Sequence, residues 1–483
     1  MRIINHPIID FEKRKKLHFN FNNKKITAYD TDSIASALHA AGVKVFSHSL
    51  HHKRARGFFC GIGKCSSCFM TVDEIPNVRS CITPVQENMD VHQQEIAGTL
   101  PKKPFTRLQK KDINMEVVVV GSGPAGMMAA LTAVKQGASV LLLDENYRVG
   151  GQLIKQSHKF FGSQEEKAGI RGIDIATELQ KEITNHKHIE VMLSTSLFGC
   201  YQNNSTYELM AIQRHDTNQQ LIAIHSKALI FCCGAMENMF AFPNNDLPGV
   251  YGAGGVQTLM NVHGVMPGNK VIMIGAGNVG LIVSYQLLQA GVEVDRVVEA
   301  MPTIGGYHVH AAKLRRCGVP IQTSHTIKEA LGKDKVEGAI IAAVDKCFTP
   351  LPGTEEKVTC DTICIAVGLT PSIRLLEQLG VNTEYIPEAG GTVAIHDANM
   401  QTSAPGIYVA GDSSGIEEAS TAMIEGELAG CSAAAALGYS NHAKEMQQRC
   451  KDSLKQLRSG PFGETARRCK DKIACCCEGG MMH

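Results

Sequence analysis

Three cysteines fall within nine residues of the stretch GFFCGIGKCSSCFMTV, at Cys60, Cys65 and Cys68, and a fourth, Cys81, follows in VRSCITPV. The spacing C-x4-C-x2-C with a more distant fourth thiol is that of a plant-type [2Fe–2S] site, whereas zinc sites favour paired CxxC units. The intervening residues suit a cluster loop. Gly57, Gly61 and Gly63 let the backbone fold tightly and turn N–H groups inward towards sulfide, and Ser66 and Ser67 are small. Zinc or unpaired thiols is the competing reading of the same four residues.

Two other constellations point to nucleotides. MEVVVVGSGPAGMMAALTAVKQGASVLLLDE reads as buried strand, glycine turn, amphipathic helix and second strand. Gly121, Gly123 and Gly126 make G-x-G-x-x-G, with Pro124 and Ala125 inside it, and the helix N-terminus behind such a turn receives a pyrophosphate. Glu145, next to Asp144, closes the second strand, where a carboxylate accepts ribose hydroxyls. Gly151 and Gln152 follow in NYRVGGQL as further cofactor-binding candidates.

The pattern repeats in NKVIMIGAGNVGLIVSYQLLQAGVEVDRVVE, with Gly275, Gly277, Asn278 and Gly280 in the turn and Glu299 ending the next strand. First glycine to terminal acid spans 24 residues in both copies (145 − 121 and 299 − 275). An acid there favours NAD over NADP, and no arginine directly follows Glu299. The alternative for this second copy is a fold that has lost its nucleotide. Near the C-terminus, GIYVAG in TSAPGIYVAGDSSGIEEASTAMIEGELAG delivers Gly411 and Asp412 to the start of a helix, whose N-terminus favours negative ligand groups.

The positioning elements read as follows. HFNFNNKKITAYD alternates as a hairpin turning at NN, DTDSIASALHAAGV is a capped helix, CFMTV is a strand and DEIPN a turn. A polar linker, TLPKKPFTRLQKKDIN, separates this ferredoxin-like order from the nucleotide patterns. The expected fold class is α/β: two Rossmann-like nucleotide-binding domains, one inserted in the other, behind a small α+β ferredoxin-like [2Fe–2S] domain. The expected division is 1–102 for the cluster domain, 103–250 and 371–440 for the two parts of the FAD-binding domain, 251–370 for the inserted NAD-binding-like domain, and 441–483 for a C-terminal helical segment and cysteine-rich tail.

Bulk properties narrow the function. A net charge of +1 over 483 residues offers no electrostatic case for nucleic acid or an anionic membrane. The basic runs FEKRKK and HHKRAR read as solvated faces. The N-terminus lacks the pattern of a signal peptide, and the longest apolar run, VIMIGAGNVGLIVSYQLL, suits a strand and helix better than a membrane span; a cytoplasmic protein is expected. Seventeen cysteines in such a chain argue against a disulfide framework, and Cys200, Cys347, Cys364 and Cys431 read as inert core. Neither nucleotide fold carries a cysteine pair that could exchange with a flavin: Cys317 stands alone and Cys232–Cys233 are adjacent. His308 and His310 in GGYHVHAA read as structural strand or loop residues rather than a metal pair.

The order of first nucleotide fold, inserted second fold and return strand resembles the two-dinucleotide-binding-domain flavoproteins, with ALIFCCGAMEN and DTICIAVGLTPS matching the crossover strands. In that superfamily the residue matching Asp412 bonds the flavin's ribityl chain or a nearby phosphate. Together with the cluster loop, FPNNDLPGVYGAGGVQTLMN, RSCITPV and SGPFG, residues 15–465 resemble the alpha-subunit group of heteromeric amine and amino-acid dehydrogenases, which includes sarcosine oxidase, dye-linked proline dehydrogenase, opine oxidase and hydrogen cyanide synthase subunits. The resemblance implies a beta subunit of D-amino-acid-oxidase type that carries its own FAD and oxidises the amine. It also implies that the alpha partner passes the electrons on, often through FMN at the subunit interface, and in some complexes a small iron–sulfur subunit. FAD, or NAD or ATP in some members, would occupy the first pocket, and NAD(H) the second. Several relatives continue into a further cluster domain opening with C-x-C-E; here KIACCCEGGMMH supplies Cys475, Cys477 and Glu478, with Cys476 between, and the readings are a disordered tail with free thiols, a site completed by another subunit, a single-metal site or a relic. The competing functions are a self-sufficient NADH-dependent iron–sulfur flavoprotein and a structural subunit with a degenerate nucleotide site.

Overall fold

The computed structural model describes every residue except 12–13, 95–96, 100–107, 161–166, 204–205, 216–217, 440 and 481–483; the boundary expected at 102/103, half of the polar linker and the last three residues of the tail lie outside the described residues. The chain forms two compact units, Met1–Phe105 with Glu237–Gly368, and Thr106–Met236 with Leu369–His483.

In the first unit the hairpin expected at NN joins Lys16–Phe21 to Lys24–Tyr29. Asn22 and Asn23 take φ of 47° and 63°, the left-handed pair that a two-residue hairpin turn requires and asparagine tolerates. The five-stranded sheet runs Lys24–Tyr29, Lys16–Phe21, Asp90–Gln93, Phe69–Val72, Ile75–Arg79. The expected DEIPN turn is tighter than its sequence suggests: Asp73 and Glu74 alone reverse the chain, and Val72 already pairs with Ile75. Helix Ile34–Ala40 starts in a capping box in which Ser33 Oγ accepts from Ser36 N at 3.2 Å and Ser36 Oγ accepts from Ser33 N at 3.0 Å. The HHKRAR run is not merely solvated: Arg54 and Arg56 both pair with Asp246.

The same unit contains a parallel sheet ordered Val250–Gly252, Thr362–Ile365, Lys270–Ile274, Glu293–Val298, Ile321–Gln322. Val271, Ile272, Met273, Ile363 and Cys364 are fully buried, as unbroken apolar runs require when both faces of a sheet are covered. A single apolar core joins this sheet to the ferredoxin-like segment, taking in Phe19, Leu38 and Met70 as well as Tyr251, Leu259 and Met273.

The second unit is built on a seven-stranded sheet with Ile189–Met192, Val140–Leu143, Lys110–Val120, Asn218–Phe231, Thr206–His215 and Thr195–Asn203 in that order, and Ile407–Val409 pairing parallel to Leu229–Phe231. Helix Pro124–Gln136 packs on Ala419–Ala436 at unusually close range. A Cβ on Gly426 would stand 2.0 Å from Ala125 O, and one on Gly430 2.3 Å from Ala129 O, so only hydrogen fits at these contacts. Helices Ala443–Leu457 and Glu464–Gly480 follow. Cys475, Cys476 and Cys477 therefore stand on a helix, not in a disordered tail, because the charged and apolar residues from Glu464 onward sustain helical periodicity with Cys469 and Ile473 on the buried side. Among the described residues no helix is long and apolar enough to cross a membrane.

Gly426→Val should destabilise the second unit by about 1–3 kcal/mol or more through backbone overpacking, read as a fall in Tm. Gly305→Ala, whose nearest atom would be 4.0 Å away, should stay within about 0.5 kcal/mol of the parent chain.

Candidate functional site

The four N-terminal cysteines converge. Gly61, Gly63 and Ser66 take φ of 66°, 73° and 61°, coiling Cys60–Cys68 into a tight loop. A Cβ on Gly63 would lie 2.7 Å from Ile82 Cδ1. Arg79 donates to Gly63 O at 3.0 Å and Ser80 Oγ to Cys68 O at 2.7 Å, which ties the loop to the segment bearing Cys81. That segment is held in turn by the first-turn amides of the capped helix, Ile34 N to Thr83 O and Ala35 N to Ser80 O.

The Cys60 thiol lies within hydrogen-bonding range of Cys65 and Cys81, and Cys81 within range of Cys68. Backbone N–H groups point at the sulfurs: Ile62 and Cys65 towards Cys60, Ser67 towards Cys65, Cys81 towards Cys68. The thiol of Cys65, with that of Cys81, thereby holds Cys60 well below the usual thiol range. Cys60, Cys68 and Cys81 are buried, and Cys65 is half-buried. Among the described residues no group of three or more ligands is disposed around a single metal ion. The thiols follow one another in the order Cys65, Cys60, Cys81, Cys68, and four thiols with N–H groups aimed at them are a donor set that suits a [2Fe–2S] cluster. The loop sits on the inserted nucleotide fold: Gly252 N donates to Phe59 O at 3.3 Å, and a Cβ on Gly255 would be 2.0 Å from Phe59 O.

In the second unit the first glycine turn has the geometry a pyrophosphate needs. Gly121 has φ 102°, and its N–H donates to Leu143 O at 2.8 Å. A Cβ on Gly126 would stand 1.8 Å from Gly121 O, so the strand end and the helix start touch backbone to backbone. Gly123 is the N-cap, Pro124 opens the helix, Ala125 is buried, and no side chain caps the helix, leaving its N-terminus for an anion. Gly151 crosses above: its Cβ would be 2.6 Å from Gly123 Cα, while Gly150 N donates to Ser122 O at 2.9 Å. Gln152, half-buried, follows in the same turn.

The carboxylate at this turn is Asp144, which accepts from Ser122 N at 2.7 Å, Ser122 Oγ at 2.6 Å and Asn146 N at 2.8 Å. Burial raises its acid pKa. The inserted fold repeats the arrangement in the first unit. Gly275, with φ 106°, donates to Val298 O at 2.7 Å; a Cβ on Gly280 would be 2.1 Å from Gly275 O; and Glu299 accepts from Ala276 N at 2.7 Å and Met301 N at 2.9 Å. Gly277 is the N-cap of helix Asn278–Gln289, and Asn278 Oδ1 accepts from Tyr307 N at 2.8 Å. Strand pairing makes Asp144, not Glu145, the counterpart of Glu299, because Leu143 and Val298 occupy the same place opposite Val120 and Ile274. The equal 24-residue spacing in sequence hides a bulge: in the second copy Val271 faces Val294 while Ile272 faces Arg296, so Asp295 is an extra residue. Gly306 lies outside the glycine motif, and motif reasoning misses it, yet its N–H donates to Ala276 O at 2.9 Å as Gly150 does to Ser122 O. The recurring VGG and IGG after each acid carried that signal.

The return strand brings Gly411 and Asp412 to the first turn, where a Cβ on Gly411 would lie 2.9 Å from Ala125 Cβ. Gly411–Ser414 is a short 3₁₀ turn, and the long helix begins only at Ala419. Burial, with the nearby Glu425 and Glu417 carboxylates, lifts Asp412 to about 7. Two expectations change. His308 and His310 stand not on a strand or loop but on helix His308–Arg316, with His308 exposed and His310 buried. Cys347 is exposed, in a turn where its N–H donates to Asp345 Oδ1 at 2.8 Å, whereas Cys200, Cys364 and Cys431 are buried as expected.

Cys60→Ser or Cys81→Ser should abolish the visible and electron paramagnetic resonance signals of a reduced [2Fe–2S] cluster, while Cys317→Ser, at an exposed helix end, should leave them intact. A signal retained in Cys81→Ser would remove that residue from the ligand set.

Residues 14–95 match the 2Fe-2S iron-sulfur cluster binding domain. The alpha subunit of sarcosine oxidase from Corynebacterium sp. is 24% identical over 460 residues, covering 91% of this chain but 46% of the relative. Hydrogen cyanide synthase subunit HcnB from Pseudomonas protegens is 26% identical over 355 residues, 70% of this chain and 74% of the relative. One of the opine oxidase subunits of Rhizobium meliloti is 26% identical over 339 residues, 67% of this chain and 63% of the relative. The chain thus spans under half the length of the sarcosine oxidase relative. In fold, L-proline dehydrogenase from P. horikoshii superposes with TM-score 0.70 at 22% identity, over 93% of this chain and 79% of that one. Thioredoxin reductase from T. acidophilum gives 0.53 at 20% identity, over 67% of this chain and 98% of its own. The sarcosine oxidase, hydrogen cyanide synthase, opine oxidase and proline dehydrogenase matches are the group that the sequence resemblance pointed to, and the two matched domain families make the chain an oxidoreductase with a [2Fe–2S] cluster and FAD or NAD. The two glycine turns and the return strand all fall within residues 115–426, the stretch that matches the pyridine nucleotide-disulphide oxidoreductase family, and the chain belongs to that family.

Proposed function

We propose that this chain is the electron-transferring subunit of a heteromeric amine or amino-acid dehydrogenase. The observation that carries the reading is the seating of the four-thiol loop directly on a nucleotide fold, through the Phe59 carbonyl against Gly252 and Gly255. The curated relatives bear the names of oxidase and synthase subunits. A partner beta subunit with its own FAD would oxidise proline, hydroxyproline, sarcosine, an opine or a related amine, and a small iron–sulfur subunit is a further candidate partner. The complex is assigned to the cytoplasm.

FAD is assigned to the first pocket: the amides of the Gly121–Gly126 turn hold the pyrophosphate, Asp144 or Glu145 meets the ribose, and Asp412 meets the ribityl chain or a phosphate. NAD(H) is assigned to the second, with Glu299 at the ribose hydroxyls. FMN would lie at the interface with the partner. Bound, a flavin takes electrons in pairs and releases them singly, as a [2Fe–2S] cluster requires. The protein's own contribution is positional and electrostatic: helix N-termini neutralise phosphate, and N–H groups aimed at sulfur stabilise the added electron. The same residues divide the chain into a cluster domain, an FAD domain in two parts and an inserted NAD domain.

The isolated chain, loaded with cofactors, should oxidise none of these amines, and the native complex should yield a flavoprotein companion by mass spectrometry; amine oxidation by this chain alone overturns the proposal. Glu299, held at an intact second turn, favours a second reading as an NADH-dependent reductase. Anaerobic NADH would then bleach the visible flavin band of the isolated chain, and an unchanged spectrum rejects it.

A further inference from the structure

The turn that carries Asp412 does not hold itself. Glu425, from the helix behind it, is 2% exposed. Its Oε2 accepts from Gly411 N at 3.0 Å and from Ser414 Oγ at 2.7 Å. Its Oε1 accepts from Arg458 Nη2 at 2.6 Å and forms an ion pair with Lys470 Nζ at 2.8 Å. Arg458 grips Glu417 with two more bonds, Nη2 to Oε1 at 2.8 Å and Nε to Oε2 at 3.0 Å. Lys470 donates to the turn itself, to Ser414 O and Ser414 Oγ, both at 2.9 Å. Two carboxylates and two cations thus balance in a place water hardly reaches, and both cations come from the C-terminal helical region, beyond residue 426 where the family match ends.

We infer that Arg458 and Lys470 are positioning residues of the flavin site, setting through Glu425 and Ser414 the place of the Gly411–Asp412 turn. The inference rests on the assignment of FAD to the first pocket. The physical reason is that Glu425 stays ionised and correctly aimed only while its cations are present; a buried carboxylate stripped of them must find water or a proton, and either moves the turn it holds. Gly411 lies against Ala125 at the helix start that would receive the pyrophosphate, so a displacement of the turn is felt by the cofactor without either cation touching it.

The test uses the full chain, deflavinated and titrated with FAD. Arg458→Met and Lys470→Met should each raise the Kd for FAD about tenfold or more and shift the flavin reduction potential, whereas Arg458→Lys and Lys470→Arg should recover most of the affinity. Far-UV circular dichroism and the cluster's paramagnetic signal, which arises in the other unit, report folding independently. Should the methionine variants fail to fold, Ser414→Ala, which removes the hydroxyl's contacts with Glu425, Lys470 and Gly411 O, should still weaken FAD binding. Wild-type affinity and potential in the Met variants, or in Ser414→Ala, overturns the inference while leaving the FAD assignment standing. A parent chain that binds no FAD overturns that assignment, and the positioning role falls with it.

Discussion

Backbone meets backbone at the end of a buried strand in each nucleotide fold, and most of the chain's chemistry depends on that contact. Gly121 O and Gly275 O come so near the following helices that a Cβ on Gly126 or Gly280 would overlap them. Only this approach lets the helix begin where the strand stops, and only then do uncapped N–H groups face outward together as an anion site. The acid at the end of the next strand reinforces the contact: Asp144 and Glu299 each accept an N–H from the turn itself. The carboxylates thus have a structural task in the turns themselves.

The cluster loop meets a different demand. Four thiols close together repel as thiolates, and the loop answers with hydrogen-bond donors. Backbone N–H groups of Ile62, Cys65, Ser67 and Cys81 face sulfur, and glycines with positive φ make room for them. The fourth cysteine, Cys81, is held from a distance by the capped helix, whose first N–H groups are spent on the Ser80 and Thr83 carbonyls. The loop's outer face then rests on the inserted fold through positions where only glycine fits. A carrier of single electrons and a nucleotide fold therefore share one compact unit and one apolar core.

The C-terminal helices lie beyond residue 426, where the family match ends. Nothing in the glycine turns needs Arg458 or Lys470. Yet a buried glutamate that anchors the return turn is neutralised by both, so a segment beyond the matched stretch bears on the turn that the return strand supplies.

Local chemistry was legible in the residues themselves. Cysteine spacing named the cluster, because a C-x4-C-x2-C loop is set by the size of what it encloses. Glycine turns named the nucleotide folds, because no other residue permits the contact at Gly126 or Gly280. The NN hairpin and the Ser33 cap could be read for the same reason, since each bond is made within a few residues. What the sequence alone left undecided depends on pairing between distant segments. The bulge at Asp295, which makes Asp144 rather than Glu145 the partner of Glu299, exists only as strand register. The helical setting of His308 and His310, the exposure of Cys347, and the meeting of Glu425 with Arg458 and Lys470 were likewise settled by packing. Tertiary structure decided them because burial and charge pairing join residues tens of positions apart, and no local pattern records which of them will meet.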